Sequence, residues 1–197
     1  MPPVEDIQRQ MHGAWRMMTG RRDGIRLLDI SVDGFWNSFF AIVVALPVML
    51  MAWVPVAGDL AGPGASFAVR LGIVIRLALV DIGAWILPLV ALAAVVDYVG
   101  LRDRFVHYIV ASNWASALFA WFMLPTSLVR LFVPEAADAA TAFALGIFLA
   151  SLVLSWRLTD AALGKGAATT TAVFFGILFA SILTLFALQD ILRLNPE

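Results

Sequence analysis

Between Arg76 and Asp97 the chain reads RLALVDIGAWILPLVALAAVVD, an apolar run broken by one carboxylate, Asp81. A helix rises about 1.5 Å per residue, which sets the two ends roughly 31 Å apart. That matches a hydrocarbon core of about 30 Å. Asp81 and Asp97 lie only about 24 Å apart on the same rise, so they cannot both reach water at opposite faces. Asp81 is the submerged one, roughly 7 Å inside. Composition agrees: 62% of the 197 residues are hydrophobic and 14% are charged, against about 25% charged in soluble domains. No single water-exposed core can hide so much apolar surface. The expected fold class is all-α, a polytopic membrane bundle of five transmembrane helices with an N-terminal amphipathic interfacial helix.

The domain organisation follows from the apolar blocks. Residues 1–34 form an amphipathic N-terminal segment, residues 35–192 a five-helix transmembrane domain, and residues 193–197 a short external tail. The spans are expected at about 35–54, 77–96, 105–128, 139–156 and 167–192. Residues 67–75 extend the second span outward as a partly interfacial segment, and 157–166 form a loop. The first apolar run is longer than the 7–15 residues of a secretory signal and reads as a retained span. Asp33 is placed to cap it, with Trp36 and Trp53 marking its two interfaces.

Val4, Ile7, Met11, Trp15 and Met18 form one helical stripe in the N-terminal segment. Such a helix either lies on the membrane surface or packs under the end of the bundle. On the surface, Arg16, Arg21, Arg22 and Arg26 would meet anionic headgroups, worth about 1 kcal/mol each. Five acids (Glu5, Asp6, Asp23, Asp29 and Asp33) dilute that attraction.

Basic residues in the short loops set the orientation. The N-terminal segment carries five (Arg9 and the four above), and the second and fourth loops two each (Arg102 and Arg104; Arg157 and Lys165). The first loop carries none, and Arg130 alone flanks the third. This places the N-terminus in the cytoplasm and the C-terminus outside. Only one of the thirteen basic residues is lysine, an association with GC-rich bacterial genomes that suggests an inner membrane.

Asp81 is the first candidate for function, because ionisable groups within spans often mark ion or proton paths. Ser127, Arg130, Thr184 and Gln189 lie at similar depth as partners. The alternative is a bond that ties two helices together. Asn113, Ser116, Ala120 and Ser127 share one face of the third span, with Asn113 near mid-bilayer; such residues mostly bond to neighbouring helices. Trp114 and Trp121 read as packing or lipid-facing residues. Leu46-Pro47, Leu87-Pro88 and Leu124-Pro125 free carbonyls on Val43, Ala84 and Trp121, which kink helices or line polar paths. Small residues recur every four positions at Ala142, Gly146 and Ala150, and at Ala172, Gly176, Ala180 and Thr184. Such ladders pack the last two spans together or form a dimer face, the first being expected of consecutive antiparallel spans.

His12 and His107 give no metal spacing, and there are no cysteines. Phosphate-binding loops, dinucleotide fingerprints and nucleophile elbows are missing too. No cofactor is expected. His107-Tyr108 reads as a hydrogen-bonded structural pair near one interface. A net charge of −1 gives no global attraction to nucleic acid.

The span pattern from Phe35 to Leu192, with a cytoplasmic N-terminal segment and external C-terminus, resembles the Yip1-type membrane proteins. DISVDGFWNSF (Asp29–Phe39) and YIVASNW (Tyr108–Trp114) resemble small bacterial inner-membrane proteins. The Yip1 likeness implies a membrane-organising role and transfers no catalytic residue. The expected function is a non-enzymatic scaffold or accessory subunit that binds lipid, a membrane-protein partner or a second copy. The alternative is a small oligomeric transporter or channel, with Asp81 and the Asn113 face lining its path.

Overall fold

The computed structural model describes residues 2–194, and all regular structure among them is helical. The elements are α1 (Val4–Met18), a 3-10 turn (Arg22–Leu27), α2 (Val32–Ser38), α3 (Phe40–Ala61), α4 (Phe67–Val95), α5 (Phe105–Phe122), α6 (Leu124–Phe132), a second 3-10 turn (Pro134–Ala136), α7 (Ala137–Leu163) and α8 (Ala167–Ile191). With α2–α3 and α5–α6 each taken as one rod, five rods of 25–30 residues are long and apolar enough to cross a bilayer. The chain is a multi-pass membrane protein. Residues 195–197, the last three of the expected tail, lie outside the described residues.

Local chemistry sets the boundaries. The Ser31 hydroxyl accepts from the Gly34 N–H at 3.0 Å and caps α2, not Asp33 as the sequence suggested. Asp29 in turn accepts from the Ser31 N–H, and these Ser31 bonds hold its carboxyl below the usual carboxylate range. The Ser66 hydroxyl caps α4 through the Val69 N–H, so residues 67–75 belong to one continuous helix with the second span. The third rod breaks at Met123, one residue before Leu124-Pro125, since proline offers no N–H to continue the ladder. Pro47, Pro55 and Pro88 sit within α3 and α4 without ending them.

The fourth span runs on to Leu163, where left-handed Gly164 stops it. The expected loop at 157–166 is therefore mostly helix. Its last turns are held from outside: Arg22 donates to Asp160 at 2.6 Å, and Leu158, Ala162 and Leu163 are buried.

The N-terminal helix packs on α5 and α7, which decides between its two readings in favour of the bundle. Its buried face is Ile7, Gln10, Gly13, Ala14, Met17 and Met18, while Val4 stays 64% exposed and Trp15 40%. The inward face is rotated from the apolar stripe for two reasons. Gln10 reaches inward to the Trp114 indole, and Gly13 lets the following 3-10 turn close on the helix. A Cβ on Gly24 would sit 2.5 Å from the Gly13 carbonyl oxygen and 2.8 Å from Arg16 Cβ.

Helix α5 is the centre of the bundle, with Tyr108, Ile109, Val110, Ala111, Asn113, Trp114, Ala115 and Ala117 buried beneath α1, α2, α3 and α7. Helix α8 takes α4 as its main neighbour rather than α7. This corrects the expectation for the small-residue ladders. Nothing lies within 4 Å of a Cβ placed on Gly146 or Gly176, so neither draws a backbone close. Close approach occurs instead at Gly83 of α4, where the Leu188 side chain from α8 occupies the space a Cβ would need.

Gly24→Ala and Gly34→Ala are each expected to destabilise the fold by about 1–3 kcal/mol through overpacking. At Gly34 the new methyl would collide with the Asp29 backbone carbonyl. Gly58→Ala, in open space inside α3, is expected to be neutral or mildly stabilising. Thermal unfolding in mild detergent separates the three.

Candidate intramembrane site

Asp81 meets Trp53. The indole Nε1–H on α3 donates to Asp81 Oδ2 on α4 at 2.6 Å, and Trp53 is only 4% exposed. Trp53 therefore serves the carboxylate and does not mark a lipid interface. Trp36, by contrast, is 68% exposed. Three of the four partners expected for Asp81 fall elsewhere. Ser127 and Arg130 line a separate cavity of about 240 Å³ between α3, α6 and α7, together with Asp59 and Thr141. Ser127 also bonds back to the Met123 carbonyl. Thr184 is half-buried on α8 and lines neither cavity. The direction in which each side chain leaves its helix decides the pairing.

The other side of Asp81 faces a cavity of about 370 Å³ between α4, α5, α7 and α8. Ser112 and Ser116 of α5, Ser155 and Thr159 of α7, and Ser181 of α8 line it among apolar and aromatic side chains. Tyr108, buried, lies at the same cavity. Asp81 and Ser116 thus line one cavity.

Asn113 does not line this cavity. It is fully buried behind Trp85, whose Nε1–H donates to Asn113 Oδ1 at 3.0 Å. Asn113 Nδ2 donates to the Ser38 hydroxyl at 2.9 Å, and Ser38 donates to the Phe35 carbonyl at 2.7 Å. This chain of bonds joins α4, α5 and α2. Asn113 is spent on holding helices together.

The same device recurs. Trp114 donates to Gln10 Oε1 at 2.9 Å, Trp121 to the Val44 carbonyl at 3.1 Å, and Trp156 to Thr171 at 3.1 Å. Five of the seven tryptophans therefore donate across to another helix. The reading of Trp114 and Trp121 as packing or lipid-facing residues leaves out these donors. The available signal was chemical: an indole N–H in hydrocarbon needs an acceptor, and only the protein supplies one.

One end of the bundle gathers the charges. Arg16 pairs with Asp23, Arg22 with Asp160, and Lys165 with Asp103 at 2.7 Å. The Lys165 ammonium, which also donates to the Gly100 carbonyl, holds the Asp103 carboxyl below the usual range. Of the four arginines expected to meet lipid headgroups, Arg16 and Arg22 are thus engaged within the chain. Arg21 and Arg26 are exposed and form no ion pair among the described residues. His107 departs from its expected hydrogen-bonded role, since its buried Nδ1 has no partner among them. No group of three or more His, Asp or Glu among the described residues is placed to hold a metal.

The Asp81 cavity combines one carboxylate with serine and threonine hydroxyls in an otherwise apolar and aromatic lining. Its hydroxyls lie along helix walls, where Ser112 and Thr159 bond back to carbonyls of their own helices. No histidine lines it to pair with a serine as base. No family model, curated protein or solved structure matches the chain.

Proposed function

We propose that the chain is a non-enzymatic membrane scaffold or accessory subunit that docks a partner helix on the first half of α7. The observation that carries this is how bare that half-helix is. From 137 to 153 only Ala140 is buried, while Phe143, Leu145, Phe148, Leu149 and Val153 are exposed. Ala142, Gly146 and Ala150 also lie open along it. A ladder of small residues lets a second helix approach closely in lipid, where packing rather than the hydrophobic effect drives association. The occupant is a membrane-protein partner or a second copy of this chain. The five-span pattern shared with Yip1-type proteins supports a membrane-organising role of the same kind.

The proposed setting is the inner membrane of a bacterium, N-terminus in the cytoplasm and C-terminus outside. The excess of basic residues at the end formed by α1 and the turns at 97–104 and 164–166 supports it. Arg21 and Arg26 are then free to meet anionic headgroups. The second reading, a small transporter or channel, draws support from Asp81 and Ser116 at one cavity. Against it, Asn113 is committed to Trp85 and Ser38.

The chain has no cysteine, so a single Gly146→Cys variant gives a clean crosslinking probe in native membranes. With a maleimide–benzophenone photolabel on the introduced thiol, which needs no cysteine on the partner, docking on α7 is expected to give a discrete crosslinked adduct at position 146, and none from Phe179→Cys on the exposed face of α8. Equal labelling with no adduct at either position contradicts the scaffold reading. For orientation, alkaline phosphatase fused after Glu197 is expected to be active and after Arg104 inactive; the reverse pattern inverts the topology.

A further inference from the structure

We propose that the cavity between α4, α5, α7 and α8 is a binding site for a lipophilic organic monocation, such as an aryl or alkyl ammonium. The site stands apart from the docking surface on α7 and holds whether or not the bound molecule is carried across the membrane. Its volume of about 370 Å³ falls within the roughly 300–1,000 Å³ typical of small-ligand pockets. Four aromatic side chains line it, Trp85, Tyr108, Phe119 and Phe174, and Asp81 contributes its one carboxylate. No Lys, Arg or His is among the lining residues.

Each feature narrows the ligand. The Trp53 indole occupies Oδ2 of Asp81, and among the described residues Oδ1 has no hydrogen-bond partner and the carboxylate no paired cation. A carboxylate so placed, with hydrocarbon outside the bundle, attracts a positive group and repels anions. Aromatic faces attract the same cation through their ring quadrupoles, by about 0.5–2 kcal/mol each. The Trp85 N–H is turned back to Asn113, so its contribution to the cavity is ring surface rather than a donor. The remaining wall is mostly aliphatic, with serine and threonine hydroxyls at intervals, which suits the apolar body of such a cation. A metal ion finds one carboxylate and no second charged ligand here.

The test uses the full chain in lipid nanodiscs and three probes of nearly one shape, read by isothermal titration calorimetry. These are benzyltrimethylammonium, its neutral carbon isostere neopentylbenzene, and phenylmethanesulfonate as the anion. The expected result is saturable one-to-one binding of the ammonium only. Asp81→Asn keeps an acceptor for Trp53 and is expected to weaken that binding about tenfold or more, which corresponds to about 1.4 kcal/mol. Phe119→Leu and Phe174→Leu are each expected to weaken it about two- to fivefold. If Asp81→Asn fails to fold, the two leucine variants decide: loss of ammonium binding supports the site, and unchanged binding overturns it. A folded Asp81→Asn variant that binds the ammonium as well as the parent also overturns it. So does neopentylbenzene binding as tightly as the ammonium, which would make the cavity a groove for lipid chains, or no saturable binding at all.

Discussion

In hydrocarbon a polar group has no water to fall back on, and this bundle meets that constraint chiefly with indole N–H groups. An indole places a single donor at the edge of a large apolar ring. It can therefore pack as a hydrophobic side chain and still close a hydrogen bond to the next helix. Trp53, Trp85, Trp114, Trp121 and Trp156 do this for Asp81, Asn113, Gln10, the Val44 carbonyl and Thr171. These bonds tie α3 to α4, α4 to α5, α5 to α1, α5 to α3, and α7 to α8. Hydrogen bonds between membrane helices average about 0.6 kcal/mol, so each is modest. Their effect is to fix which faces meet.

The position of Asn113 shows the consequence for function. It lies one side chain away from the Asp81 cavity, yet Trp85 stands between them and takes up its carbonyl. The bundle core is closed by bonds already made, while Asp81 lines the cavity with one oxygen bonded to Trp53. A structural polar core and a cavity with an unpaired carboxylate thus sit side by side, separated by one ring.

Much of the architecture could be read from the residues, because lipid imposes strong rules. The lengths of the apolar blocks predict all five rods. What escaped depended on contacts at distance. The apolar stripe of α1 differs from its buried face because Gln10 counts as polar in any periodicity argument, although it is buried on Trp114. The fourth rod was cut short at Trp156 because its polar last turns are stabilised by Arg22, which lies far away in sequence. The glycine ladders pointed to a contact between α7 and α8, whereas the close approach uses Gly83 and Leu188. Spacing identifies a helix face; it does not identify its neighbour.

The most direct measurement is a double-mutant cycle between Trp85→Phe and Asn113→Ala, read from reversible unfolding in bicelles. If indole donors hold the polar core together, the two losses should be coupled by about 0.6–1.7 kcal/mol, the range of interhelical hydrogen bonds in lipid. Strict additivity, with coupling below about 0.3 kcal/mol, would contradict the account.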